Sequence, residues 1–136
     1  DSRRSISSAR ALAVETARAR IALGRSLGRQ GVFELDARTG TARVVARLDG
    51  SLTNPSTEPP TTVALGYVRD HLAALGLTTD DLRTLTLASD RVDDDGVHHL
   101  AWTQSAKGIQ AFDNGLKASV TAVMTICHMR RCTRFR

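Results

Sequence analysis

The chain has 136 residues and a mass of 14.7 kDa, enough for one domain with a real core and too little for two of ordinary size. With 41% hydrophobic and 24% charged residues wholesale disorder is excluded, and no apolar run approaches the ~20 residues of a membrane-spanning helix. The net charge of +5 is unevenly spread: residues 1–30 carry +5, residues 31–122 carry −4 and residues 123–136 carry +4. The basic balance therefore belongs to the ends. Such ends read as solvated faces, so neither a nucleic-acid nor a membrane partner is expected. The sequence begins at Asp1 without Met or an apolar signal core, which fits an intracellular chain, a processed one or a fragment.

In chain order, residues 1–30 read as an Arg-rich helix from Ser5 to Leu27. Ala11, Val14, Ile21 and Leu27 recur at helical spacing, Leu12, Ala19, Ala22 and Leu23 widen the stripe, and a glycine at 24 or 28 caps the end. Gly31–Asp36 and Thr41–Leu48 flank a turn closed by Gly40 and predict a β-hairpin. Residues 49–60, with three prolines, predict a connecting loop. A second helix, capped by Thr61 or Thr62, carries Val63, Ala64, Tyr67, Val68, Leu72 and Leu75 on one face and stops at Gly76. A Thr cap followed by Asp80 and Asp81 adds a turn or two. Leu85–Val92, Val97–Ser105 and Ile109–Ala122 predict an antiparallel meander, interrupted at Asp113-Asn114-Gly115 by a bulge or a tight turn. The fold class is α+β: helix, β-hairpin, helix, then an antiparallel meander packed on the helices.

Sites of chemistry are scarce. His98 and His99, adjacent on a strand, point to opposite faces and cannot grip one metal. His71 has no histidine four residues away. Asp93-Asp94-Asp95-Gly96 looks like a calcium loop but lacks the EF-hand spacing and its twelfth-position Glu, so a solvated turn is expected. Cys127, His128 and Cys132 offer three zinc ligands without an evident fourth. No phosphate loop, nucleophile elbow or H-E-x-x-H pair occurs. The expectation is a chain without catalytic residues, metal ligands or cofactor.

One stretch is more specific. His99-Leu-Ala-Trp102-Thr-Gln104, followed by Gly108-Ile-Gln-Ala-Phe112-Asp-Asn-Gly115, resembles the paired strands of the fungalysin/thermolysin propeptide domain. Arg43–Gly50, Ala64–Arg69 and Leu75–Leu82 are similar to stretches of actinobacterial fungalysin-type precursors, so the resemblance runs over residues 20–122. It implies a cystatin-like prodomain at residues 31–122, secreted within a zinc metallopeptidase precursor. The domain would inhibit the catalytic domain and assist its folding. It further implies a monomer whose one partner is that catalytic domain, with zinc held only there. His99, Trp102, Gln104, Gly108, Phe112 and Gly115 carry the motif. The expected roles are structural: Trp102 and Phe112 in the core, Gln104 on buried backbone groups, Gly108 and Gly115 in tight turns or at positive φ. Gln110 stands where the family usually has Pro. A free-standing inhibitor or binding module is the alternative, and a basic nucleic-acid binder a more distant one. Residues 123–136 depart abruptly in composition, holding both Cys and both Met. They read as an anomalous basic tail, mobile rather than an ordered edge strand, and consistent with a shifted reading frame.

Overall fold

The computed structural model describes residues 2–38, 40–48, 50–106, 109–121 and 126–132. Helix α1 spans Ser2–Leu27 and ends where Gly28 turns left-handed at φ 75°, a conformation that costs an L side chain ~1–2 kcal/mol. Only its C-terminal half is packed: Leu23 and Leu27 are buried and Ala19 packs against the core, whereas every residue from Arg3 to Glu15 is exposed. The helix is as expected, but only part of its expected stripe, Ala19, Leu23 and Leu27, makes the contact. Val14 and Ile21 face solvent, because at about 100° of rotation per residue they fall on the side of the helix opposite the docking face of Ala19, Leu23 and Leu27.

The hairpin pairs β1 (Gly31–Leu35) with β2 (Ala42–Arg47). Its turn is built as the sequence suggests: Asp36 Oδ1 accepts from the Arg38 N–H at 2.8 Å, and Gly40 takes φ 68°. Helix α2 covers Pro60–Asp70. Neither Thr61 nor Thr62 caps it; Pro59 stands at the N-cap with no side-chain bond and Pro60 opens the helix. Proline suits that position because its φ is already helical and its missing N–H would have had no partner. The second helix is also broken where continuous periodicity was expected. His71, at φ −128° and ψ 25°, separates α2 from α3 (Leu72–Leu75), which stops at left-handed Gly76. A short α4, Thr79–Arg83, carries a complete capping box. Asp81 N–H donates to Thr78 Oγ1, and Thr78 N–H donates to Asp81 Oδ2.

Strands β3 (Leu85–Val92), β4 (His98–Ala106) and β5 (Ile109–Val120) form the expected antiparallel meander. The interruption in β5 is a shift of register: Thr103 pairs with Gly115 and Ser105 with Gln110, so Gln104 alone stands opposite residues 111–114. The tail reading needs correction. Ile126–Cys132 forms β6, and the sheet order is β1-β2-β6-β5-β4-β3. Far from a mobile extension, β6 is an interior strand, antiparallel to both β2 and β5, and Ile126 has no exposed surface. The physical reason is pairing demand, since without β6 the inner edges of β2 and β5 would leave two rows of backbone donors and acceptors open. Loop 51–59 secures the start of β6, with Leu52 N–H donating to the Ile126 carbonyl and Ile126 N–H to Thr53 Oγ1.

The core lies between the helices and one face of the sheet. Val63, Ala64, Tyr67 and Val68 of α2 meet Val45, Leu100, Trp102, Leu116, Val120 and Ile126 from the strands. Arg20 ties the layers at one end, donating from Nε to the Ala74 carbonyl at 3.0 Å and from Nη2 to the Gly40 carbonyl at 2.6 Å. Among the described residues no helix is long and apolar enough to cross a membrane.

Candidate functional site

The motif residues gather on β4 and the strand beside it. Alternation along β4 sends Leu100 and Trp102 into the core and sets His99 on the other face, in register with Arg91 on β3 and Ser119 on β5. Trp102 is buried as expected, with 4% exposure. Gln104 has a different role from the one expected. Its Nε2 donates to Asp81 Oδ1 at 3.3 Å and Thr84 Oγ1 at 3.2 Å, so it holds the side chains of the capped turn α4 rather than backbone groups. Asp81 thereby serves both the cap and the sheet. Nothing in the local pattern singled out Asp81 and Thr84 as its partners, because they lie 23 and 20 residues away.

Gly115 is buried, and a Cβ there would overlap the Trp102 carbonyl oxygen. Its φ is not in the left-handed region, so close strand approach, not a turn, requires glycine. Gly108 and the Phe112 side chain lie outside the described residues. So do the side chains of Cys127, His128 and Cys132, leaving the three-ligand zinc arrangement untouched by these observations. Among the described residues no group of three His, Cys, Asp or Glu side chains is placed to hold a metal ion.

The two histidines occupy opposite faces, each joined to a different aspartate. His98 Nδ1–H donates to Asp90 Oδ1 at 3.1 Å and His99 Nε2–H to Asp93 Oδ2 at 2.8 Å. The latter bond leaves Nδ1 of neutral His99 to accept from Ser119 Oγ at 3.4 Å. This order, Ser119, His99, Asp93, has the connectivity of a hydrolytic triad. Its geometry serves another purpose. Asp93 Oδ1 also accepts from the Asp95 and Val97 N–H groups, and Gly96 closes the turn at φ 81°, so the carboxylate is first a turn-former. The His99 hydrogen bond, then those backbone donors, hold the Asp93 carboxyl below its ordinary value of 3.8. The Ser119 contact is long, and His99 and Asp93 are each 38% exposed, where water screens the charge development a nucleophile needs.

Beside Gln104, between Leu82 and Leu85, lies a void of about 20 Å³, room for a single water rather than a ligand. The constellation is built to position strands and a helical turn and to present a polar sheet surface. No family model, no curated protein and no solved structure matches the chain.

Proposed function

We propose that this chain is a noncatalytic propeptide-type module that binds the catalytic domain of a fungalysin-like zinc metallopeptidase, inhibiting it and assisting its folding within a secreted precursor. The observation that carries the reading is the linkage of three motif residues. Trp102 fills the core, its carbonyl lies against Gly115 on the next strand, and Gln104 two residues on fastens the Thr78–Asp81 turn. The resemblance of the sequence thus falls on residues that depend on one another for their positions.

A binding module needs a rigid framework more than a reactive group, and a folded domain that buries surface on a hard-to-fold protease stabilises it by mass action. The test is inhibition in trans. The 136-residue chain, added to purified fungalysin-type and thermolysin-type catalytic domains, is expected to co-elute with one of them and slow its cleavage of a fluorogenic peptide. Gln104→Ala, which removes the side-chain bonds from β4 to Asp81 and Thr84, should weaken that inhibition. Normal protease rates at saturating chain with no co-elution would sink the proposal. Hydrolysis of ester substrates abolished by Ser119→Ala would replace it with the triad reading.

A further inference from the structure

Away from β4, a cleft of about 500 Å³ opens between the end of α1, the 52–58 loop and α2. Its floor includes Leu27, Leu52 and Val63, and Tyr67 and His71 line it from α2 and its broken end. The Tyr67 side chain is an anomaly: the residue is only 6% exposed, yet its hydroxyl has no hydrogen-bond partner among the described residues. Burial alone pushes its ionisation up to about 12, so the phenol remains a neutral donor. A buried hydroxyl without a partner costs stability unless something else satisfies it.

His71 supplies the complement. Its Nδ1–H donates to the Tyr67 carbonyl at 2.8 Å, which fixes the tautomer and leaves Nε2 as an acceptor, again without a partner among the described residues. The two rings lie 4.2 Å apart, so a spare donor and a spare acceptor occupy neighbouring side chains. Gly66, one residue before Tyr67, keeps the wall low. A Cβ there would meet nothing within 4 Å, so fold packing does not demand a glycine in this helix, where it costs ~1 kcal/mol relative to Ala. Glu58 and Asp70 are exposed at the cleft, and neither is ion-paired among the described residues. Arg47, also on the wall, has an interaction of its own.

We infer that this cleft binds a short extended peptide segment carrying a basic side chain. A peptide unit offers a carbonyl to the Tyr67 hydroxyl and an N–H to His71 Nε2. A flanking aliphatic side chain covers the Leu27, Leu52 and Val63 floor, and a Lys or Arg meets Glu58 and Asp70. The site is independent of the protease-binding reading and goes beyond it.

The experiment is an NMR titration of the isotopically labelled full chain with acetyl-Leu-Lys-Leu-amide and, in parallel, acetyl-Leu-Glu-Leu-amide. The lysine peptide is expected to give saturable shifts at Gly66, Tyr67 and His71, and the glutamate peptide to bind at least about tenfold more weakly. Tyr67→Phe should weaken the lysine peptide by about three- to tenfold, the loss of one hydrogen bond, without lowering the melting temperature of the free chain. Gly66→Leu, which sets a branched side chain in the open space beside Tyr67, should abolish the shifts while the circular dichroism spectrum is retained. Absence of saturable shifts, equal binding of both peptides or unchanged affinity in Tyr67→Phe would overturn the inference. A lowered melting temperature in Tyr67→Phe would do so too, because it would show that the hydroxyl already has a partner within the protein.

Discussion

Replacing Gly115 by alanine places a methyl group against the Trp102 carbonyl oxygen, and neither atom belongs to a flexible side chain. The strands must part, at a cost of at least ~2 kcal/mol. Urea denaturation of Gly115→Ala against the parent chain measures it. Asp93 makes a prediction of a different kind. Its folded-state ionisation is depressed, mainly by the His99 hydrogen bond, so its stabilisation is present above the ordinary carboxylate value of 3.8 and is lost as pH falls through the folded value. Asp93→Asn keeps an acceptor in the turn but removes the charge. It should melt below the parent at pH about 6, and the gap should close near pH about 2. At this scale Trp102 was legible because a lone large aromatic on an alternating strand has few alternatives to the core. The partners of Gln104 were not, since a side-chain amide bonds whatever the tertiary fold brings near.

At the scale of elements, the short helix α4 shows how a local signal and a distant contact combine. Thr78 and Asp81 form the capping box with no outside help, and Asp81 then receives Gln104 from β4. Thr78→Ala should cost about 1 kcal/mol in a thermal melt, and pairing it with Gln104→Ala in a double-mutant cycle should give less than the sum, because both act on Asp81. The α2–α3 break was hidden from periodicity. The apolar positions Tyr67, Val68, Leu72 and Leu75 keep helical spacing across it, whereas the break itself rests on His71 leaving helical geometry while its ring bonds the Tyr67 carbonyl. Helix α1 was legible as a helix and only in part as a contact, since Ala19, Leu23 and Leu27 of the expected stripe dock and Val14 and Ile21 do not. Its N-terminal half is exposed from Arg3 to Glu15, so its amides should exchange with solvent far faster than those around Leu23 and Leu27, as hydrogen-exchange mass spectrometry would record.

For the whole molecule, the decisive element is β6. It joins the β1–β2 hairpin to the β3–β5 meander, which are otherwise two separate pieces of sheet. A chain ended after residue 122 loses the pairing of both β2 and β5 together with the buried Ile126. It should show no cooperative urea transition, while the full chain unfolds in one step. A sharp transition in the shortened chain would mean that the meander and helices suffice. The basic composition of residues 123–136 had pointed to a tail, but composition reports what water tolerates, whereas an interior strand of a sheet with one solvated face needs apolar residues only at alternate positions.

What the sequence determined by itself is local: the helical and alternating periods, the glycine and Asx turns, a Thr cap ahead of Asp80 and Asp81 and the α+β order, each set by residues within a few positions of one another. What only the tertiary structure decided is non-local. The central place of β6, the face by which α1 docks, the hold of Gln104 on α4 and the setting of Tyr67, whose hydroxyl has no partner among the described residues, beside a cleft each depend on segments tens of residues apart meeting in space. No local pattern records those meetings, because backbone pairing and side-chain hydrogen bonds are indifferent to separation along the chain once the core has brought the segments together.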